Sequence, residues 1–366
     1  MNKRWISAIG LFLMLLTTII AIGCGNEPIP TPYVAEEFVV CNASGNQIFP
    51  SISGDVVVWT DYRNDNNDLP DNGDIFGYNL NNGIEFPICT DENYQGGPDI
   101  DGNIVVWSDG RNDNSDISNS DIYGYNLSAE TEFIICNASH DQGAPSISGN
   151  VVVWIDNRAD DEYDSYIYGY NLSSSEEFPI STYRSLKFFP SIYKDIVTWL
   201  DFRKADLASG ARENLNLEIY ACNLSSGIEF EIPDNDAYSQ DAPGADIYGD
   251  ILVWCERYES TPDIYNYNIA TYNLTTHNKS ILSTSHNSRM KPVIYGDIVV
   301  WTDYRSGNGD IYGYNLKTGE EFAICTAPGY QQHPAIFWNI VVWEDNRNEV
   351  ADTYDIYGAR LSFDNP

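Results

Sequence analysis

Short apolar runs separated by polar interruptions set the rhythm of this chain. Runs such as Val56-Val57-Val58-Trp59, Ile104-Val105-Val106-Trp107 and Ile298-Val299-Val300-Trp301 are apolar at consecutive positions. They are rich in β-branched residues and bounded by Gly, Asn and Asp, which marks strands. A strand on a one-sided sheet alternates; a strand packed between two sheets need not. Each run is followed by Asp-x-Arg, a polar loop, a DIYGYNL-like run, a turn rich in Ser, Gly and Asn, and an EFxIC-like run. No stretch among these repeats has the apolar spacing of a helix.

The unit occurs seven times. Trp recurs at 59, 107, 154, 199, 254, 301 and 343, with spacings of 48, 47, 45, 55, 47 and 42. Pro stands nine residues earlier in six copies (50, 98, 145, 190, 292 and 334), and Pro243 stands eleven earlier in the fifth. Four strands in roughly 45 residues is the size of a propeller blade. The Gly of DIYGYNL (77, 124, 169, 313, 358; Ala221 and Thr271 in two copies) predicts a large ring from the next sheet packing down on it. The last repeat ends without an EFxIC strand, and Glu37-Phe38-Val39-Val40-Cys41 precedes the first repeat without an owner. The surplus matches the deficit. The expected fold is all-β: a single seven-bladed β-propeller of four-stranded blades over residues 36–366, closed by an N-terminal strand completing the last blade. An open solenoid is the alternative.

The combined pattern Pro-x-Ile-x-Gly-Asp-x-Val-Val-Trp, Asp-x-Arg, Asp-Ile-Tyr-Gly-Tyr-Asn-Leu resembles TolB-like β-propeller repeats over residues 36–361. It is most similar to versions in surface and envelope proteins of methanogenic archaea. The resemblance implies binding or scaffolding at the cell envelope, on a fold that also carries enzymes.

Charge and the N-terminus narrow the class. There are 54 acidic against 19 basic residues, a net charge of −35. That excludes a nucleic-acid binder, which needs a basic face. Lys3 and Arg4 precede an uncharged apolar run to Gly23, and Cys24 follows Ala-Ile-Gly. This reads as an export signal (1–23) with a lipobox-like end, Cys24 as the lipidated residue, and 24–35 as a Pro-containing tether. An uncleaved anchor helix and plain secretion remain as alternatives. All three place the rest outside the cytoplasm, and the first two hold it to the membrane at the cell surface.

Candidate chemistry is sparse. Asp-x-Arg recurs as Asp61/Arg63, Asp109/Arg111, Asp156/Arg158, Asp201/Arg203, Asp303/Arg305 and Asp345/Arg347, with Glu256-Arg257 in the fifth copy. A pair in every blade is a structural staple, with the Arg expected to bridge to the DIY acid. The residue three before each Pro is Gln47, Gln95, Gln142, Lys187, Gln240, Arg289 and Gln331. These seven are expected to ring the channel mouth, with an anion held near Lys187, Arg289, Arg184 and Lys291. Cys41, Cys89, Cys136 and Cys325 are equivalent and too far apart to pair, which makes them buried free thiols. A Cys222–Cys255 bond is left open. The Asp/Asn-rich loops suit Ca²⁺ but lack a clean motif, so no cofactor and no metal site are assigned. The four His read as solvated loop residues. No Gly-x-Ser-x-Gly, His-Glu-x-x-His or Walker loop is present, so no catalytic residue is named. The reading is a non-enzymatic, monomeric surface propeller that binds ligand, envelope protein or extracellular glycan. The alternative is a polysaccharide hydrolase or lyase at the channel mouth, with Glu256 as its test residue.

Overall fold

The computed structural model describes residues 35–65, 72–112, 119–159, 164–204, 217–233, 244–261, 264–283, 288–348 and 353–362. Over these residues the chain forms twenty-eight strands, β1–β28, in seven four-stranded antiparallel sheets. Blade one shows the pattern. β2 (Gln47–Ser53), β3 (Val56–Asp61), β4 (Asp74–Asn79) and β5 (Ile84–Cys89) pair in sequence order, with β2 innermost. The last blade has β26 (Gln331–Phe337), β27 (Ile340–Asp345) and β28 (Asp355–Leu361), and its fourth strand is β1 (Ala35–Cys41). β1 runs antiparallel to β28, with Phe38 opposite Gly358 and Val39 opposite Tyr357. The ring is a closed propeller, fastened by its first strand.

The consecutive apolar runs follow from this packing. Val57 and Trp59 join Val40, Val342 and Ile356 of blade seven in one buried cluster, while Val58 joins Val105 and Trp107 of blade two in the next. Both faces of β3 are therefore core, which removes the alternation. All seven Trp are buried, and six donate Nε1–H to the Asp two residues on, as Trp59 does to Asp61 at 2.8 Å.

The conserved-size Gly has a different partner from the one expected. A Cβ on Gly77 would lie 2.8 Å from the Phe86 ring, and one on Gly313 would lie 2.7 Å from Phe322. These rings belong to the outermost strand of the same blade, directly opposite the Gly in register. The ring covers its own sheet, not the next one.

The two ends of the channel differ. On one face, tight turns join the two innermost strands of each blade; on the other lie the connections between blades and the loops after Asp-x-Arg. At the turn face each blade reaches the next. Gly102 N donates to Ser53 Oγ (3.0 Å), Gly149 N to Asp101 Oδ2 (2.6 Å) and Lys194 N to Ser148 Oγ (3.0 Å). From blade four onward rings replace these bonds: Tyr193–Tyr248, Tyr248–Tyr295 and Tyr295–Phe337, with centroids 4.6, 4.7 and 4.8 Å apart.

Candidate functional site

The repeated Asp-x-Arg pairs are fully engaged. Arg63 Nη2 lies 2.6 Å from Asp61 Oδ2, and its Nε and backbone N–H both bond Oδ1. Its guanidinium lies over the Phe76 ring (4.1 Å), and Nη1 bonds Glu85. Arg111, Arg158, Arg203, Arg305 and Arg347 repeat the arrangement with Glu132, Glu177, Glu229, Glu321 and Glu37. The second partner is thus the Glu of the outer strand, not the DIY acid. Asp74 and Asp121 are held instead by the Nδ2 groups of Asn64 and Asn112, both at 2.6 Å. Lying flat on the aromatic ring turns the guanidinium fork towards the outer strand.

Arg63 Nη2 also reaches Cys41 Sγ of the preceding blade (3.2 Å), as Arg111 reaches Cys89 and Arg347 reaches Cys325. Cys41, Cys89, Cys136, Cys222, Cys255 and Cys325 are buried and free, so no Cys222–Cys255 bond forms. Burial pushes Cys41, Cys89, Cys136, Cys255 and Cys325 up to about 12. In the fifth blade Glu256 is buried and pairs with Lys279 at 2.7 Å. That makes it a local replacement for the staple and not an acid open to substrate. One cluster of metal-ligand type occurs among the described residues, Cys89, Asp91 and Glu132. Arg111 bonds both of its carboxylates, so a cation is already there.

The expected ring of channel-facing residues is not at the surface. Gln47, Gln95, Gln142, Lys187, Arg289 and Gln331 each begin an innermost strand, as expected, yet each is 0% exposed. Gln47, Gln95 and Gln142 use Nε2 to close the loop carbonyl two residues earlier. Arg289 Nε lies 3.1 Å from Asp303, and Lys187 Nζ donates to Ser165 O, Ser185 O and Tyr183 O. Arg184 pairs with Asp164. Gln240 and Cys24 lie outside the described residues.

What faces the channel is the residue directly before each Pro. Phe49, Gly97, Ala144, Phe189, Gly244, Lys291 and His333 all have left-handed backbone, with φ between 49° and 60°. In the fifth blade Gly244 precedes Ala245, so Ala245, not Pro243, stands at the proline's place nine before Trp254. Six of them, all but Gly244, sit at a register shift, such as that between Ile48 and Ser51. The bulge leaves one residue unpaired, and Pro, lacking N–H, fits the gap.

These seven surround a cavity of about 390 Å³ at the loop face. Phe49 and Phe189 are 40% and 41% exposed. Lys291 Nζ stands 5.1 Å from the Phe189 ring, and burial holds its ammonium below the ordinary lysine range. His333 is not a solvated loop residue. Its Nδ1 lies 2.8 Å from Oε1 of buried Glu344, which also accepts Phe49 N–H (2.8 Å), and Gln332 Nε2 bonds Oε2. A carboxylate on Nδ1 fixes the proton there and leaves Nε2 as the acceptor. One signal in the sequence could have found this site. The column before an otherwise repeated Pro reads Phe, Gly, Ala, Phe, Lys and His, chemically diverse beside a fixed neighbour.

Comparison with known proteins places the fold. No family model matches the chain, and no curated protein sequence does either. Among solved structures, the β-propeller domain of the trilobed protease from Pyrococcus furiosus aligns with a TM-score of 0.67 at 14% identity, over 88% of this chain and 97% of that one. Oligogalacturonate lyase from Vibrio parahaemolyticus gives 0.61 at 11% identity, over 91% and 98%. TolB from Acinetobacter baumannii gives 0.51 at 15%, over 78% and 67%. At these identities the likeness is one of fold, and the fold is shared by proteins with different activities.

Proposed function

We propose that this chain is an exported, surface-held propeller that binds a ligand at the loop-face mouth of its channel without transforming it. The observation that carries the reading is the ring of seven left-handed positions. It is the place, within the inner strand of six blades and just before it in the fifth, where the repeat presents unlike residues to open space. Strained positions persist where surrounding structure and function hold them. Lys291 supplies the cation, Phe49 and Phe189 supply apolar walls, and His333 Nε2 accepts a hydrogen bond. This set suits an acidic sugar chain, with its carboxylate or sulfate on Lys291 and its ring faces on the two Phe. The chain's own acidity makes one channel-facing cation selective rather than incidental. Calorimetric titration with uronate or sulfated oligosaccharides should show binding that weakens with salt. Lys291→Ala should reduce affinity about tenfold, the equivalent of about 1.4 kcal/mol. Equal affinity in the variant would sink the proposal.

One feature supports the enzymatic reading as well. The His333–Glu344 pair is an oriented proton acceptor beside a cation, which is the equipment for abstracting a proton next to a carboxylate. Appearance of unsaturated uronate products in the same titration, lost in His333→Gln, would favour a lyase.

A further inference from the structure

The turn face of the channel holds a second cavity, of about 260 Å³, which meets the loop-face cavity at Asp99 and Asp246 but has its own rim. Its wall is two-sided. Over blades four to seven it is the arc Tyr193, Tyr248, Tyr295 and Phe337; over blades one to three it is Ser53, Asp101 and Ser148. Deeper in, Asp99 and Asp246 face the same space. Burial pushes both carboxyls up, Asp246 to about 6.

The turns at the rim carry the decisive feature. In five blades the left-handed residue is glycine: Gly54, Gly102, Gly149, Gly249 and Gly296, with φ between 58° and 62°. In the other two it is Lys194 (φ 53°) and Trp338 (φ 60°), and these two flank the aromatic arc at its two ends. Lys194 has a use within the fold, since its Nζ stands 5.0 Å from the Tyr193 ring. Trp338 makes no comparable ring contact among the described residues. It is 71% exposed, so it recovers little burial for a conformation that disfavours bulky residues by about 1 kcal/mol or more. It follows Phe337, the last ring of the arc, directly in the chain, in the turn at the cavity's rim.

We infer that the turn face is a second ligand site, for a neutral oligosaccharide, with a terminal sugar ring in the cavity and the following ring stacked on Trp338. A pyranose has an apolar C–H face and a hydroxyl edge, and the cavity offers an aromatic half and a hydroxyl-and-carboxylate half to match. Asp101 lines this cavity and not the loop-face one, and its carboxylate accepts hydroxyl hydrogens and repels anions, whereas Asp99 and Asp246 line both cavities and already accept bonds from Ser51, Ile147, Ser191 and Ile294. This inference rests on the rim residues of the turn face, none of which lines the loop-face cavity.

Trp338 supplies its own probe. The seven blade tryptophans are at most 1% exposed, so among the described residues Trp338 dominates the emission open to acrylamide. The full chain should be titrated with neutral gluco-, manno- and N-acetylglucosamine oligosaccharides and with a uronate oligosaccharide. Protection of the quenchable emission by at least one neutral chain is the expected result. Trp338→Gly restores the residue of five other turns, so its melting temperature should hold or rise while affinity, read by calorimetry for wild type and variants, falls about tenfold. Trp338→Phe should keep part of the binding. Absence of protection across the neutral panel, protection by the uronate chain alone, or undiminished binding by folded Trp338→Gly would overturn the inference.

Discussion

Lys187 occupies the place that Gln47, Gln95, Gln142 and Gln331 hold in other blades, and it is as fully buried as they are. Desolvation pushes its ammonium down to about 8, against the pull of Asp201, whose Oδ2 is 4.0 Å away. The unfolded chain keeps an ordinary lysine near 10.5. Between about pH 8 and 10.5 the unfolded state therefore holds a proton that the folded state has released, and stability from this group rises with pH across that window. Below it the folded state carries the full penalty, roughly 3 kcal/mol at about 1.4 per unit. Lys187→Gln should remove the penalty, because Asp201 keeps Arg203, Trp199 and Ser185 as partners. Urea denaturation of both proteins from pH 7 to 10 is the measurement. The variant's advantage should shrink as pH rises, and parallel curves would contradict the shifted ammonium. The sequence marked Lys187 as exceptional and misread its direction. Period-two reasoning puts the positions one and three before Pro on the same side. The bulge at the Pro adds a residue, so the former turns into the channel and the latter into the wall.

The strands themselves were legible, and so was the closure, because both rest on counting repeated runs. Less legible was what each strand touches. The small residue of DIYGYNL announces a close neighbour, but the register that chooses Phe86 for Gly77 is set by pairing across β4 and β5. The sequence does hold the matching clue. Thr271, where the small residue is lost, faces Ser280, where the ring is lost too. The same care applies to β1. Val40 and Cys41 are buried and Phe38 covers Gly358, but Val39 is 43% exposed and contributes little. Glu37 adds the bond to Arg347 at 2.8 Å. At about 1.5–3 kcal/mol for each buried side chain, a chain beginning at Gly45 should lose several kcal/mol and expose the edge of β28. Thermal unfolding and light scattering would show a much lower midpoint and aggregation. An unchanged midpoint would mean that the fastening is dispensable.

At the scale of the whole molecule, seven near-identical blades make a rigid frame, and the departures from identity that face open space lie at the two ends of its axis. Fold was readable from repetition, whereas ligand chemistry sits in the few columns where repetition fails. Among the described residues no helix is long and apolar enough to cross a membrane. The proposed attachment therefore rests on the lipobox-like leader. Cys24→Ser should release soluble protein or leave uncleaved precursor, read by membrane fractionation and mass spectrometry of the N-terminus. Wild-type processing and retention in the variant would end the lipid assignment. The placement of β1 also dictates an order of assembly. Blades one to six are meanders of adjacent strands, so each can form as soon as its own segment is made, through contacts that are short in sequence. The bond between Arg347 and Glu37 spans 310 positions. Closing so long a loop adds little to the equilibrium cost, which grows only with the logarithm of length, but it must wait for the far end of the chain. The propeller's first strand is thus the last to find its partner, and until it does the growing protein carries an unpaired sheet edge.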